Sequence, residues 1–300
     1  VLKLGLKQLL FLLSVSFLIF SCQPKTPVPF VDGLEEYPTL QKVLADTAKY
    51  QVQIRYTQID RNEHGNPLFT TYPFNVDDSR YFYPASTVKL PIALLALEWL
   101  EEQQIEGLTL ETTMLTDSVR PSQLPAWSDS TAQNGLPSIG HYIKKILLVS
   151  DNDAYNRLYE FLGPDYINAT LHRMGYTNTA LVHRLSLPLT MEQNRHTNPV
   201  RFLSHDGKLV YFKPAQVATW VAPKLDIQLG VGYIGKEGLV NQPFDFSNKN
   251  RFPLADLHRI IRSVLFPESV PNKQRFNLTK SDLEFLHQYM SMLPGESDDP

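Results

Sequence analysis

The sequence predicts an α+β fold in which antiparallel strands and a helix-rich lobe share one chain, and three observations predict it. Apolar and polar residues alternate from Tyr50 onward and, after a turn, alternate again up to Phe74, the period-two pattern of half-buried strands. Leu90 to Leu100 is apolar nearly all round, as a central rather than a surface helix requires. After residue 138 several segments repeat their apolar residues at helical spacing.

Taken in order, the chain opens with Lys3 and Lys7 ahead of the apolar run Leu9 to Phe20. That run is short for a membrane span but suits the apolar region of a secretory signal, so residues 1–21 are expected to be a signal peptide. Leu18-Ile19-Phe20-Ser21-Cys22 resembles a bacterial lipobox. The resemblance makes Cys22, the one cysteine of the chain, the expected lipidation site, and implies an exported cell-envelope protein held on the periplasmic side by a lipid anchor. Residues 22–35, rich in proline after Gln23, read as its tether.

The folded domain is expected over 36–300. Val52, Ile54 and Tyr56 share one side of a first strand, Arg61 to Pro67 forms a turn, and Leu68 to Phe74 returns as the second strand of a hairpin. The apolar helix follows, with Pro91 placed where a missing backbone N–H does least harm if the helix has just begun. Gly107 to Asn134, rich in Thr, Ser, Asp and Pro, reads as a loop-rich connection. Helices are then expected over His141 to Val149, Ala154 to Leu162 (closed by Gly163-Pro164) and Asp165 to Met174 (closed by Gly175). They build an α-rich lobe spanning about 104–200. Gly175 to Pro214 reads as irregular, Pro214 to Ala222 as a helix, and Leu254 to Phe266 and Leu283 to Leu293 as helical by period.

Composition narrows the function classes. With 43% hydrophobic residues the 300-residue chain can bury a sizeable core. Lys+Arg 28 against Asp+Glu 31 gives a net charge of −3, and no Lys/Arg-rich run offers a track for phosphates, so nucleic acid is not an expected partner. The 8 His residues are scattered without ligand spacing, so no metal and no cofactor are expected.

Chemistry is expected at Tyr83-Pro84-Ala85-Ser86-Thr87-Val88-Lys89. If Ser86 stands in the first turn of the apolar helix, Lys89 at i+3 lies on the same face with its amine within reach of the hydroxyl. An amine activates a serine only when unprotonated, which requires a pKa well below the ordinary value of about 10.4. Burial under Leu90 to Leu100 and the positive end of the helix dipole both act in that direction. Backbone N–H groups at the same helix end can face a developing oxyanion.

Ser150-Asp151-Asn152 stands between two predicted helices, where a loop projects side chains into a cleft. By itself it reads as a cap on the following helix. Placed after Ser86-x-x-Lys89 and before Gly163-Pro164 and Leu171-His172-Arg173-Met174-Gly175, it completes an order of landmarks that resembles the serine β-lactamase and penicillin-binding protein superfamily, in its class A-like branch. The resemblance runs from Tyr50 to about Asn198. It implies an α/β sandwich of antiparallel sheet flanked by helices with an all-α lobe, the site lying between them. It implies Ser86 as acylated nucleophile, Lys89 as its base or relay, Ser150 as proton donor to the leaving nitrogen, and Asn152 as a holder of the substrate's amide side chain. Asp151 would shape the loop.

The implied function is a serine acyl-hydrolase acting on β-lactams or on D-alanyl-D-alanine peptides of peptidoglycan. A cell-wall D,D-peptidase and a non-catalytic peptidoglycan-binding lipoprotein of the same fold are the alternatives. Two departures stand out. A Lys/His-Thr/Ser-Gly string is absent, Lys236-Glu237-Gly238 being the nearest, and with the late strands also lacking the domain is expected to be incomplete at its C-terminus. The family's deacylating glutamate would fall near Leu185 to Leu187, where the chain reads Arg184-Leu185-Ser186-Leu187-Pro188. Glu192 is the next acid and the substitute candidate for that base.

Overall fold

The computed structural model describes residues 36–121 and 124–297. The expected signal peptide, Cys22 and the tether lie outside them. The described residues divide into two compact units, the boundary falling between Val76 and Asp77. Among the described residues no helix is long and apolar enough to cross a membrane.

The first unit carries two short helices, α1 (Pro38–Ala45) and α2 (Thr47–Tyr50), and the expected hairpin of β1 (Ile54–Arg61) and β2 (Pro67–Phe74). Its antiparallel register runs from Ile54 opposite Phe74 to Arg61 opposite Pro67. The turn is held by Asn62, whose side-chain oxygen accepts from the N–H groups of His64 and Asn66. Cross-strand pairs supply the rest: the Thr57 and Thr71 hydroxyls lie 2.9 Å apart and the Tyr56 and Tyr72 rings stack at 6.0 Å.

In the second unit a 3-10 turn (Ala85–Val88) runs directly into α3 (Lys89–Gln103). Ile92 to Ala96 are fully buried, so the helix is central, as its all-round apolar sequence demands. Pro91 is its third residue, inside the first turn, where an α-helix leaves N–H groups unused in any case. Around α3 pack α4 (Ile139–Val149), α5 (Asn152–Leu162) and α6 (Pro164–Arg173), and Trp99 meets Phe161 edge-on at 4.8 Å. Leu158, Phe161, Ile167 and Leu171 complete that side of the core.

Three strands form an antiparallel sheet in the order β3 (Thr113–Thr116), β4 (Val200–Leu203), β5 (Leu209–Lys213). They fall in the two stretches that read as loop-rich or irregular, together with the five-residue α7 (Met191–Arg195). Pairs of short strands follow, β6 (Gln228–Leu229) with β9 (Phe244–Asp245) and β7 (Tyr233–Gly235) with β8 (Gly238–Val240). Lys236-Glu237-Gly238, the string nearest to the absent third motif, turns the β7–β8 hairpin. The expected helices near the C-terminal end are present as α8 (Leu254–Leu265) and α9 (Lys280–Ser291), which add Ile260, Val264 and Leu286 to the core.

One expected element is corrected. Pro214 to Ala222 is not a helix, because its backbone groups are bonded elsewhere. The N–H of Gln216 goes to the Thr197 hydroxyl, that of Ala218 to Arg195 O, and those of Thr219 and Trp220 to the Asp165 carboxylate. A helix would have to give up the last three of these bonds.

Candidate active site

The local sequence builds the site in two halves. Ala85 takes a positive φ of 46°, an unusual conformation for a residue with a Cβ, and so turns the chain sharply before Ser86. The 3-10 turn and α3 then stack Lys89 one turn above Ser86, with Lys89 Nζ 3.1 Å from Ser86 Oγ. The second half is the junction of α4 and α5. Ser150 ends α4 in the left-handed region at φ 54°, its N–H bonded back to Ile146 O, and Asp151 caps α5 by accepting from Ala154 N at 2.7 Å. This tight reversal aims both Ser150 and Asn152 at the same amine. Lys89 Nζ lies 3.0 Å from Ser150 Oγ and 2.7 Å from Asn152 Oδ1, and also contacts the Ser150 carbonyl.

Valence assigns the protons. The Ser150 carbonyl and Asn152 Oδ1 can only accept, so they take two N–H bonds from Lys89. A neutral amine then has one lone pair left, with two hydroxyls, Ser86 and Ser150, within reach of it. Lys89 is buried, at 3% exposure. Burial pushes its pKa below the ordinary lysine value, while the charge of Asp151 pulls the other way. The arrangement can therefore take a proton from one hydroxyl and pass it to the other through a single nitrogen.

A family model described as the β-lactamase enzyme family matches residues 37–220, which include the whole of this cluster. The chain belongs to the β-lactamase enzyme family. Similar solved structures are a β-lactamase from Xanthomonas campestris pv. campestris (15% identity, TM-score 0.42, covering 85% of this chain and 69% of that one) and one from Desulfarculus baarsii (15% identity, TM-score 0.43, 82% and 66%). A third is L2 complexed with relebactam (15% identity, TM-score 0.39, 82% and 66%). No curated protein matches the chain.

In this β-lactamase-family chain Ser186 was not singled out by sequence, although it lies inside the window where an acid was sought. Its hydroxyl accepts from Asn152 Nδ2 at 2.8 Å, and its backbone is left-handed at φ 56°. Asn156 fastens that turn, bonding both the carbonyl and the N–H of Leu185 at 3.0 and 2.8 Å. Asn156 follows Asn152 by four residues on α5, one helical turn, and that spacing was the available signal.

Glu192 is placed differently. It lies on α7 with its side chain 64% exposed, bonded to Arg195 at 2.9 Å and His196 at 3.0 Å. Both partners hold its carboxyl below the usual range, His196 foremost. Among the described residues it bonds none of Ser86, Lys89, Ser150 or Asn152. Arg184, by contrast, is buried, donating Nε to Glu160 at 2.6 Å and a terminal nitrogen to His196 O at 2.6 Å, and so ties the segment before Ser186 to α5.

Behind the α4–α5 junction Lys145 bonds Asp129 at 2.8 Å and approaches Asp151 at 3.9 Å. Burial opposes ionisation of Asp129, but hydrogen bonds from Lys145 and Thr131 outweigh it and hold the carboxyl well below the usual carboxylate range. Among the described residues no group of three or more His, Cys, Asp or Glu side chains could hold a metal ion.

Proposed function

We propose that the protein is a serine acyl-hydrolase that forms an acyl-ester on Ser86 with β-lactams or related D-alanyl-D-alanine peptides. The observation that carries this reading is the convergence of Ser86, Ser150 and Asn152 on the one buried amine of Lys89. In the proposed reaction neutral Lys89 takes the Ser86 proton as Oγ attacks the carbonyl carbon. The charge on the former carbonyl oxygen faces the Ser86 N–H. Lys89 passes the proton through Ser150 to the leaving nitrogen, whose bond to carbon breaks, leaving acyl-Ser86. Asn152 holds the substrate's amide while its own amide stays anchored on Lys89 and Ser186.

Deacylation is the slow step in this reading. Asp151 is engaged with the α5 cap and Lys145, Glu192 with Arg195 and His196, and the position facing Asn152 is a hydroxyl, that of Ser186. Among the described residues neither Asp151 nor Glu192 is thereby offered to a hydrolytic water, which favours cell-wall peptidase-like behaviour over efficient β-lactam turnover. With the lipobox-like Cys22, the whole reading is of an enzyme acting at the cell envelope.

Labelling with a fluorescent penicillin, followed by intact mass and peptide mapping, tests it. A stoichiometric burst, an adduct on Ser86 and slow release are expected. Absence of an adduct at high penicillin and peptide-substrate concentrations would instead leave a non-catalytic peptidoglycan binder.

A further inference from the structure

A cavity of about 250 Å³ lies beneath Tyr81 in the second unit, and its lining has a one-sided charge. Lys224, Lys249 and Arg251 border it, and no carboxylate does. Among the described residues none of these three cations makes a close ion pair, although the charge of Lys249 is felt by Asp245 at longer range. Arg251 spends its Nε on the Asn178 carbonyl at 2.9 Å, and Lys249 stands 5.7 Å over the Phe244 ring. The neighbouring Asp245 carboxylate is held mainly by Ser247. Burial without a counter-charge pushes the Arg251 pKa down, a sign that an anion placed beside it would be stabilising.

Apart from Ser247 and Asn248, the rest of the wall is mostly apolar. Tyr81 and Phe246 meet at 5.5 Å between ring centroids, and Val182, 8% exposed, also lines the cavity. Few convergent charges on a mostly apolar hollow is the usual make-up of a small-molecule site. A bare oxyanion would meet the charges and leave the rings in contact with water; a neutral apolar molecule would do the reverse. None of Ser86, Lys89, Ser150 or Asn152 lines the cavity.

We propose that this cavity is a second binding site, for a small carboxylate-bearing molecule with an aromatic or aliphatic body, the carboxylate seated among Lys224, Lys249 and Arg251 and the body against Tyr81 and Phe246. The site is distinct from the acylation centre and stands whether or not Ser86 reacts.

Titrating the full chain with phenylacetate, followed by amide NMR shifts, tests it. Saturable binding is expected, with the shifts centred on residues 180–182 and 246–251. Affinity should fall at least tenfold in Lys224→Gln/Lys249→Gln, two substitutions at partly or fully exposed side chains that leave the core intact. Phenylacetamide, which lacks the charge, and inorganic phosphate, which lacks the ring, should each bind at least tenfold more weakly than phenylacetate. Equal binding of either, unchanged affinity in the double variant, or shifts centred on Ser86 and Ser150 would overturn the assignment.

Discussion

The side-chain amide of Asn152 donates to the hydroxyl of Ser186 at 2.8 Å. Since Asn152 Oδ1 faces Lys89 at 2.7 Å, the orientation of this amide is set from both ends, nitrogen toward hydroxyl and oxygen toward amine. Residue 186 thus stands two hydrogen bonds, through Asn152, from the base of the proposed nucleophile.

From that placement, Ser186→Glu is expected to bring a carboxylate to the rim of the acyl-ester and to hasten its hydrolysis. A positioned general base contributes on the order of a hundredfold or more. The lifetime of the Ser86 adduct by mass spectrometry should shorten accordingly, whereas Ser186→Ala should alter acylation only about threefold, the scale of one lost hydrogen bond. An unchanged adduct lifetime in the glutamate variant would count against Ser186 facing the ester.

Lys89→Arg should abolish acylation as thoroughly as Lys89→Ala, because a guanidinium keeps its charge and cannot take the serine proton. In the native protein the acylation rate should rise with pH as Lys89 loses its proton, with a midpoint below the ordinary lysine pKa because burial lowers it. Stopped-flow labelling across pH reads this out; a rate that falls with rising pH would mean that Lys89 acts as a fixed charge.

Glu160→Gln should destabilise the fold strongly. Arg184 is 2% exposed, and removing its 2.6 Å partner leaves a buried guanidinium uncompensated, a loss of about 3–5 kcal/mol. Thermal melts should drop by roughly 6–20 °C for a unit of this size. A shift under a couple of degrees would show that the carbonyl bonds to Arg184 suffice.

Lys213 offers the opposite case. Its amine is buried, donates to Leu162 O at 3.2 Å and lies 5.1 Å from the Phe161 ring, and burial brings its pKa down to about 8. The unfolded chain therefore binds the extra proton between pH 8 and the ordinary lysine value, so stability contributed by this site rises with pH across that window. Below pH 8 both states are protonated and the burial penalty is present in full, about 3 kcal/mol by the size of the shift. Lys213→Met should raise the melting temperature at pH 7 and flatten the rise above pH 8; a lower melting temperature would mean that the carbonyl and ring contacts outweigh the buried charge.

What could be read from sequence was what is local. Ser86 and Lys89 are three residues apart on one turn, so their meeting needs no knowledge of the fold. The hairpin and α3, α8 and α9 carry their periods openly. Ser150 and Asn152 reach Lys89 only through the left-handed Ser150 and the cap at Asp151, and it took the family resemblance to connect the two halves. Pro214 to Ala222 misled because its apolar residues suggested a helix while the side chains of Asp165 and Thr197, far away in sequence, had claims on its N–H groups. β3 was invisible inside a polar stretch because its partner β4 lies more than eighty residues on. Ser186 has no signal in its own stretch; what points to it is the pair Asn152 and Asn156, one turn apart on α5.

The sharing of Lys89 between two distant stretches has a consequence for the life of the chain before it is folded. Until α3 is buried the amine remains an ordinary ammonium in water, and until the α4–α5 junction docks nothing removes two of its protons from competition. Ser86 is then as inert as any other serine. On the proposed mechanism the nascent chain would meet nucleophile-seeking small molecules or other peptides without reacting, and the reactivity of Ser86 would arrive together with the core. A misfolded copy would for the same reason be silent rather than promiscuous.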